Sequence, residues 1–459
     1  MKEINLFGFQ GEFKERIATA MRKHKRVLGV AATGFGKGVV IADIAKSAII
    51  KGSVTCIAVH RIEIFKQVFN NLVSYGITPS LIAAGSKISP GSKCYLAMVD
   101  TLNSRIKKGM IEMLNINFFI MDEAHYASHF KVINGVDCFV LGLTASPKST
   151  GNPELNKYFG VMVEGKPVKE LIQIGRLVRA RTFSVDWDFS KVKLNSKGTE
   201  FDEKSLKEEF QKPMLWDGAV NSYLKHANGL QALCFSANIE RSLSVTEQFN
   251  THGIKAAHVN GSTKESERDA IFDRYRRGDV QVICNVGIAT TGTDLPNTKC
   301  VILDLATMSI VKYVQMVGRG ARCAPDKDHF IVIDMGRNYS RFGEFGDYID
   351  WKAIFDKPSL AAVKREKRNK RECSNCGVVM EFHTSKCPYC DHETARAKLD
   401  SMAEKQMTAE ELMNYRHKML PDRLKVPISS MSYSMLREYA AAVGHNYRWA
   451  NIVHAKRRH

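Results

Sequence analysis

The order of the apolar segments constrains this chain more than any other feature. From Arg26 to Leu143, short β-rich runs (Val27 to Val30, Val54 to His60, Tyr95 to Val99, Phe118 to Asp122, Cys138 to Leu143) alternate with amphipathic helical stretches. Strands separated by helices cannot pair as hairpins; they form a parallel sheet covered on both faces, so this half predicts a doubly wound α/β domain. A more polar, less regular stretch follows from about Gly151 to Asp217. The alternation then restarts with Leu233 to Phe235, Ala256 to Val259, Val282 to Asn285, Val301 to Asp304 and Phe330 to Asp334, which predicts a second α/β domain in tandem. The 459 residues have room for about three domains at roughly 150 residues each.

No apolar run approaches the roughly 18 residues of a membrane-crossing helix, and Met1 to Glu12 mixes charge, Gly and Phe unlike a secretory signal. A cytosolic protein is expected. Lys plus Arg number 67 against 48 Asp plus Glu, and the formal charge of +19 suits a polyanionic partner. Anionic membranes attract basic proteins too, but no amphipathic anchor or lipidation motif supports that choice. The basic run Lys364 to Arg371 holds six positive residues and one negative, and reads equally as a solvated linker or as phosphate contact.

After the first predicted strand, Ala32-Thr33-Gly34-Phe35-Gly36-Lys37-Gly38 precedes a helix beginning near Val39. Backbone N–H groups and the helix N-terminus can converge there on phosphate oxygens, and Lys37 brings a mobile cation to the β and γ phosphates. Gly38 stands where such loops carry a Ser or Thr hydroxyl for Mg²⁺, so water is expected to fill that ligand position while Asp122 and the phosphates hold the ion.

Met121-Asp122-Glu123-Ala124-His125 ends an apolar strand, which carries two acids to the carboxyl edge of the sheet, where ligands bind in this class. Asp122 suits Mg²⁺ through water, and Glu123 suits orientation and deprotonation of an attacking water. In the second unit, Gln315-Met316-Val317-Gly318-Arg319-Gly320-Ala321-Arg322 follows a helix with Ile310, Val314 and Val317 on its apolar face. Arg319 and Arg322 lie one helical turn apart and can face one γ-phosphoryl group across an interdomain cleft.

Taken in order, these segments resemble the motifs of superfamily 2 helicases of the DEAH type over roughly residues 6 to 340. Motif I is Ala32 to Gly38, motif II Asp122 to His125, motif III Thr144-Ala145-Ser146 and motif VI Gln315 to Arg322. Gln10 resembles the adenine-reading glutamine, His60-Arg61 motif Ia, Asp100-Thr101-Leu102 motif Ib, and Asn285 to Asp294 motif V. The resemblance implies two RecA-like domains with ATP between them and a nucleic-acid strand across their tops. It also implies catalytic roles for Lys37, Asp122, Glu123, His125, Gln315, Arg319 and Arg322, with nucleotide contacts extending to Thr33, Gly34, Phe35, Gly36, Gly292 and Asp294. Strand contacts are expected at His60, Arg61, Thr101, Ser236, Thr290 and Thr291, whose hydroxyls and amides suit phosphate; ordinary loop capping is the plain alternative for each. The boundaries expected are 1–182 and 183–355 for the two domains, 356–372 for a basic linker, 373–393 for a zinc ribbon and 394–459 for a basic helical region.

Eleven cysteines divide unevenly: seven stand singly in hydrophobic stretches, while Cys373, Cys376, Cys387 and Cys390 form two C-x-x-C pairs. Their C-x₂-C-x₁₀-C-x₂-C spacing, with Gly377 and Pro388 at the turns, suits four thiolates around a structural Zn²⁺. His383 and His392 lie nearby and could replace a cysteine ligand, but four thiols suffice and solvated histidines are the plainer reading. In the tail, Tyr447, Arg448, Trp449 and Lys456-Arg457-Arg458 could stack on and neutralise a strand, or Trp449 could pack between helices.

The quartet and the motif V and VI segments look most like RadD-type DNA helicases and phage branch-processing enzymes such as UvsW. The function expected is therefore an ATP-dependent helicase or translocase on branched or partly single-stranded DNA, using ATP, Mg²⁺ and Zn²⁺. It would work as a monomer in the cytoplasm, or in the host cytosol if phage-encoded, with a single-strand-binding or recombination protein as partner. An RNA helicase and an ATP-gated binding switch are the alternatives.

Overall fold

The computed structural model describes residues 4–109, 112–148, 154–184, 192–196, 198, 200–212, 218–288, 295–357, 370–381, 384–393, 420–443 and 447–455. The first sheet contains β1 (Arg26–Val30), β2 (Thr55–Val59), β3 (Ser80–Ile82), β4 (Cys94–Met98), β5 (Phe118–Asp122), β6 (Phe139–Thr144) and β7 (Val161–Glu164). Their order across the sheet is β3-β4-β2-β5-β6-β1-β7, and each neighbouring pair is parallel. The second contains β8 (Arg179–Ser184), β9 (Ala232–Ser236), β10 (Ala256–Val259), β11 (Val282–Asn285), β12 (Cys300–Asp304) and β13 (His329–Asp334), in the parallel order β10-β11-β9-β12-β13-β8. Two doubly wound lobes, the expected fold class, follow.

Central strands such as β1 and β5 are continuous apolar runs because helices cover both faces, and Val27, Leu28 and Ile120 have no exposed surface. The helices start where local chemistry allows: Asn238 caps Ile239–Thr251 through Arg241 N, and Asp202 caps Glu203–Phe210 through Ser205 N. Parallel pairing brings β1, β5 and β6 to a common edge, with Val30 beside Thr144 and Asp122 beside Leu143. The Ala32 to Gly38 loop (the P-loop), the acids and the Thr144-Ala145-Ser146 turn therefore meet at one end of the sheet.

Two expected boundaries shift. Arg179 to Ser184 hydrogen-bond to β13, so the first domain's residues end before 179 rather than at 182. Lys370 to Glu372, placed in the linker, form β14 (Lys370–Glu372), which pairs antiparallel with β15 (Val379–Glu381). The supposedly irregular stretch between the lobes also supplies β7 and helix Glu203–Phe210. Glu200 fixes that stretch to the second lobe, accepting from Thr307 Oγ1 at 2.7 Å and Met308 N at 2.6 Å.

Residues 369–459 form a separate compact unit. Helices Tyr433–Val443 and Tyr447–Ala455 enclose Leu424, Leu436, Tyr439 and Ala450, and Trp449 stacks on Tyr439 with ring centroids 5.7 Å apart. Of the two readings of Trp449, the structure shows packing. Among the described residues, no helix is long and apolar enough to cross a membrane.

Candidate active site at the interlobe cleft

The loop between β1 and helix Lys37–Ile50 curls through two left-handed glycines, Gly34 at φ 85° and Gly36 at φ 88°. Side chains seldom adopt that geometry, and at Gly36 a Cβ would also meet Gln10 Nε2 at 2.5 Å. Gln10 grips the loop: its Nε2 donates to Phe35 O at 2.9 Å, while Phe7 N donates to its Oε1 at 3.0 Å. Both ends of the expected adenine-reading amide are thus held by backbone. Phe35 is buried beneath the loop, and Lys37 Nζ donates to Ala31 O at 3.2 Å.

Glu123 sits at φ 50°, a conformation a non-glycine residue holds only when its surroundings impose it. Among the described residues its buried Oε2 has no hydrogen-bond partner, and it lies 3.3 Å from His125 Nδ1. Burial, reinforced by the neighbouring Glu123 charge, pushes the Asp122 carboxyl up to about 7 despite Lys37. Burial acts on Glu123 in the same direction, but Lys37 and His125 outweigh it and hold that carboxyl below the ordinary range. A carboxyl pair that favours ionisation only when a cation is near is a donor set that fits Mg²⁺. Gly38 adds no oxygen ligand; its nearest neighbour in the Cβ direction is Asn71 Nδ2, at 3.1 Å.

His125 is fully buried and joins three motifs. Thr144 Oγ1 gives its proton to Ser146 O at 2.9 Å and therefore accepts from His125 Nδ1 at 2.8 Å. The opposite nitrogen, Nε2, faces Gln315 Nε2 of the second lobe at 3.3 Å. Next along that segment, a Cβ on Gly318 would lie 2.9 Å from Thr33 Cβ, so motif VI rests directly on the P-loop. Arg319 is buried and Arg322 half-buried on the same segment. Further contacts link the lobes: Arg61 donates to Gly287 O at 3.3 Å and Ile288 O at 3.5 Å, and helix Ile62–Ser74 meets helix Glu265–Arg277 through the ion pairs Glu63–Arg268 and Lys66–Glu265.

Of the expected strand contacts, Arg61 and Thr101 are half-exposed after β2 and β4. His60 and Ser236 differ from expectation. Both His60 ring nitrogens are buried and the ring stacks on Tyr126, while Ser236 is 4% exposed, with its hydroxyl toward Cys234 Sγ and Asp304. His60 follows β2 and Ser236 ends β9, but each side chain turns inward. Thr290, Thr291, Gly292 and Asp294 lie outside the described residues, as do His383, Lys364 to Asn369 and Lys456 to Arg458.

The sequence reading missed Arg176, whose guanidinium carbon lies 3.5 Å from the Phe7 ring centroid, and Leu177, whose Cδ2 is 2.5 Å from a Cβ position on Gly34. Both lie beside the strand pairing that joins Val178 N to Ala321 O at 2.9 Å, a link no local pattern signals. Tyr126 follows the acid motif directly, and its aromatic character was the one available cue.

In the C-terminal unit, the four expected thiols lie within 4.8 Å of one another, with Cys373 Sγ to Cys390 Sγ and Cys376 Sγ to Cys387 Sγ each 3.7 Å. Tetrahedral ligands about 2.3 Å from a zinc ion stand about 3.8 Å apart, so this quartet fits the ion. Asn375 Nδ2, donating to Cys390 Sγ, holds that thiol down at about 6, whereas burial pushes Cys387 up. His392 Nε2 is 3.1 Å from Ser374 Oγ rather than turned to the sulfurs.

Comparison with known proteins supports the same reading. Residues 3–149 match the family model of the type III restriction enzyme res subunit, and residues 217–324 match the helicase conserved C-terminal domain. The chain is 29% identical over 366 residues to a 51.5 kDa protein of a Lactococcus phage, covering 78% of this chain and 76% of that one. It is 28% identical over 256 residues to a Saccharomyces cerevisiae protein assigned as the ATP-dependent helicase IRC3, covering 53% of this chain but 37% of the yeast protein. Among solved structures, a fragment assigned as the HsdR subunit of a type I restriction enzyme from Vibrio vulnificus shares the fold, with a TM-score of 0.59 and 19% identity over 74% of this chain and 66% of that chain. Two family models in tandem, laid over two lobes that close on one P-loop and one pair of acids, make the chain a member of the superfamily 2 helicases, the nucleic-acid-dependent ATPases of this architecture.

Proposed function

We propose that the chain is an ATP-driven DNA translocase that acts on branched or partly single-stranded DNA. The observation that carries the reading is the contact of Gln315 with His125 and of Gly318 with Thr33, which unites halves of a catalytic set from two lobes. In this reading Lys37 neutralises the β and γ phosphates, Asp122 holds Mg²⁺ and Glu123 orients and deprotonates the attacking water. Arg319 and Arg322 stabilise charge that develops on the transferred phosphoryl group. Bound Mg²⁺ would supply further charge neutralisation on the phosphates. Closing and opening of the cleft would alternate the grip on a strand lying over the lobes.

The choice of DNA over RNA draws on the resemblance of motifs V and VI and the cysteine quartet to RadD-like enzymes, and the +19 charge suits either polymer. Cys373, Cys376, Cys387 and Cys390 are assigned to a structural Zn²⁺. The ATP-gated switch draws on Gly38, which lacks a metal-ligating hydroxyl. Phosphate release stimulated by nucleic acid, abolished in Lys37→Ala and Glu123→Gln, supports the motor; release that stays at background supports the switch. An unwinding panel of linear duplex, fork, four-way junction and displacement loop, with a matched RNA fork, tests the substrate. Equal unwinding of linear and branched DNA, or preference for the RNA fork, would overturn it.

A further inference from the structure

Beside the acids lies a cluster of rings whose packing the motif roles do not explain. His60 follows β2, and its ring centroid lies 3.7 Å from that of Tyr126 with the planes 29° apart. Tyr126 is in turn 4.4 Å from His125, and the buried His129 meets His60 edge-on at 6.2 Å. Among the described residues neither ring nitrogen of His60 has a hydrogen-bond partner, although both are buried. Burying an imidazole without partners is destabilising, and a leucine or phenylalanine would fill the same space without that cost. Burial, with His129 nearby, holds His60 well down at about 3, so the ring brings no cation to compete with Lys37 for Glu123.

What distinguishes this stack is what stands at its ends. At one end, His125 touches Glu123, Thr144 and the second lobe's Gln315. At the other, Arg61, adjacent to His60 in the chain, donates to Gly287 and Ile288 where the second lobe's chain leaves β11. His60 lies in face contact with Tyr126, which meets His125 at a tilt of 35°, so a shift of the Arg61 loop is passed to His60, then Tyr126, then His125. We propose that His60 and Tyr126 are positioning residues, which pass the engagement of a nucleic-acid strand at the loop after β2 to His125 and so set the Glu123 carboxylate for hydrolysis. The inference rests on the motor reading and names how nucleic acid regulates that same site.

Tyr126 is the test position, because it touches neither nucleotide nor strand in this reading. ATP turnover would be measured with and without a single-stranded DNA oligonucleotide, and oligonucleotide affinity would be measured separately by fluorescence anisotropy without nucleotide. For Tyr126→Ala the expected result is a loss of about tenfold or more in the stimulated kcat, with unstimulated turnover and oligonucleotide Kd within about twofold of wild type. Tyr126→Phe, which keeps the ring, should retain stimulation within about twofold. If Tyr126→Ala melts early, Tyr126→Leu replaces bulk without a ring plane and should show the same selective loss. Full stimulation in the variant without a ring, an equal loss in Tyr126→Phe, or a fall in affinity that accounts for the whole effect would overturn the coupling role. A wild-type chain that nucleic acid does not stimulate would instead defeat the motor reading itself.

Discussion

Closure of the cleft leaves no room for a methyl group at Gly318. A Cβ there would stand 2.9 Å from Thr33 Cβ, 3.1 Å from Thr33 Cγ2 and 2.8 Å from the Val314 carbonyl oxygen, so it is blocked on both sides. Carbon atoms in contact settle at about 3.5–4.0 Å, and relief therefore requires the lobes to part by about 0.5–1 Å. Overpacking of this kind costs about 1–3 kcal/mol. The Thr33 share of that cost arises only when the lobes are closed, whereas the Val314 share belongs to the local turn in either state. At about 1.4 kcal/mol per factor of ten, Gly318→Ala should lower kcat for nucleic-acid-stimulated ATP hydrolysis by about 10- to 100-fold. Nucleotide affinity of the first lobe should stay within about threefold, measured by titration with a fluorescent ATP analogue, because Thr33 and Lys37 keep their places. Wild-type kcat in folded Gly318→Ala would refute the idea that close approach at this point is required for turnover.

Gly38→Thr should preserve or raise ATP turnover and lower the Mg²⁺ requirement, because the new Cβ meets only the end of the half-buried Asn71 side chain; a tenfold loss in steady-state phosphate release would count against the phosphate cradle. With Asp122 pushed up to about 7, protons compete with the cation, so half-saturating Mg²⁺ should rise up to about tenfold per pH unit below that value. For stability the sign is opposite: the folded chain takes up this proton between its ordinary value of 3.8 and about 7, so Asp122's contribution falls as pH rises through that window and is flat above it. Asp122→Asn should flatten both trends, measured by metal titration and by thermal melts across pH. Mass spectrometry under native conditions should find one zinc per chain, lost in Cys387→Ser; a disulfide-linked or metal-free quartet would contradict the assignment.

Much of the candidate site's placement could be read from sequence because its motifs follow apolar strands. Once β1, β5 and β6 are parallel neighbours, Lys37, Asp122 and Thr144 must arrive at the same edge. Strands with mixed character were harder to see: β3 is three residues long, and β8 reads Arg-Ala-Arg-Thr-Phe-Ser because it lies at a sheet edge with one partner. The acid-to-ring cluster shows a different limit. A residue that follows a strand is fixed at the rim, but its rotamer decides whether it faces a ligand or the interior. His60 and Ser236 turned inward because Tyr126 offered a flat partner and Asp304 an acceptor, neither of which local pattern records. Arg176 and Leu177 were invisible for a related reason, since their partners Phe7 and Gly34 come from the beginning of the sequence.

The charged pairs between helices Ile62–Ser74 and Glu265–Arg277 bear on how such a machine can cycle. A seam sealed by grease would stick, because every parting would leave oily surface in water. Opposite charges that separate can be taken up by solvent and counterions, so parting this flank leaves less oily surface in water than an apolar seam would. Ionic strength then acts as a throttle: salt that loosens the seam also loosens hold on the polyanion, so release and reopening quicken together.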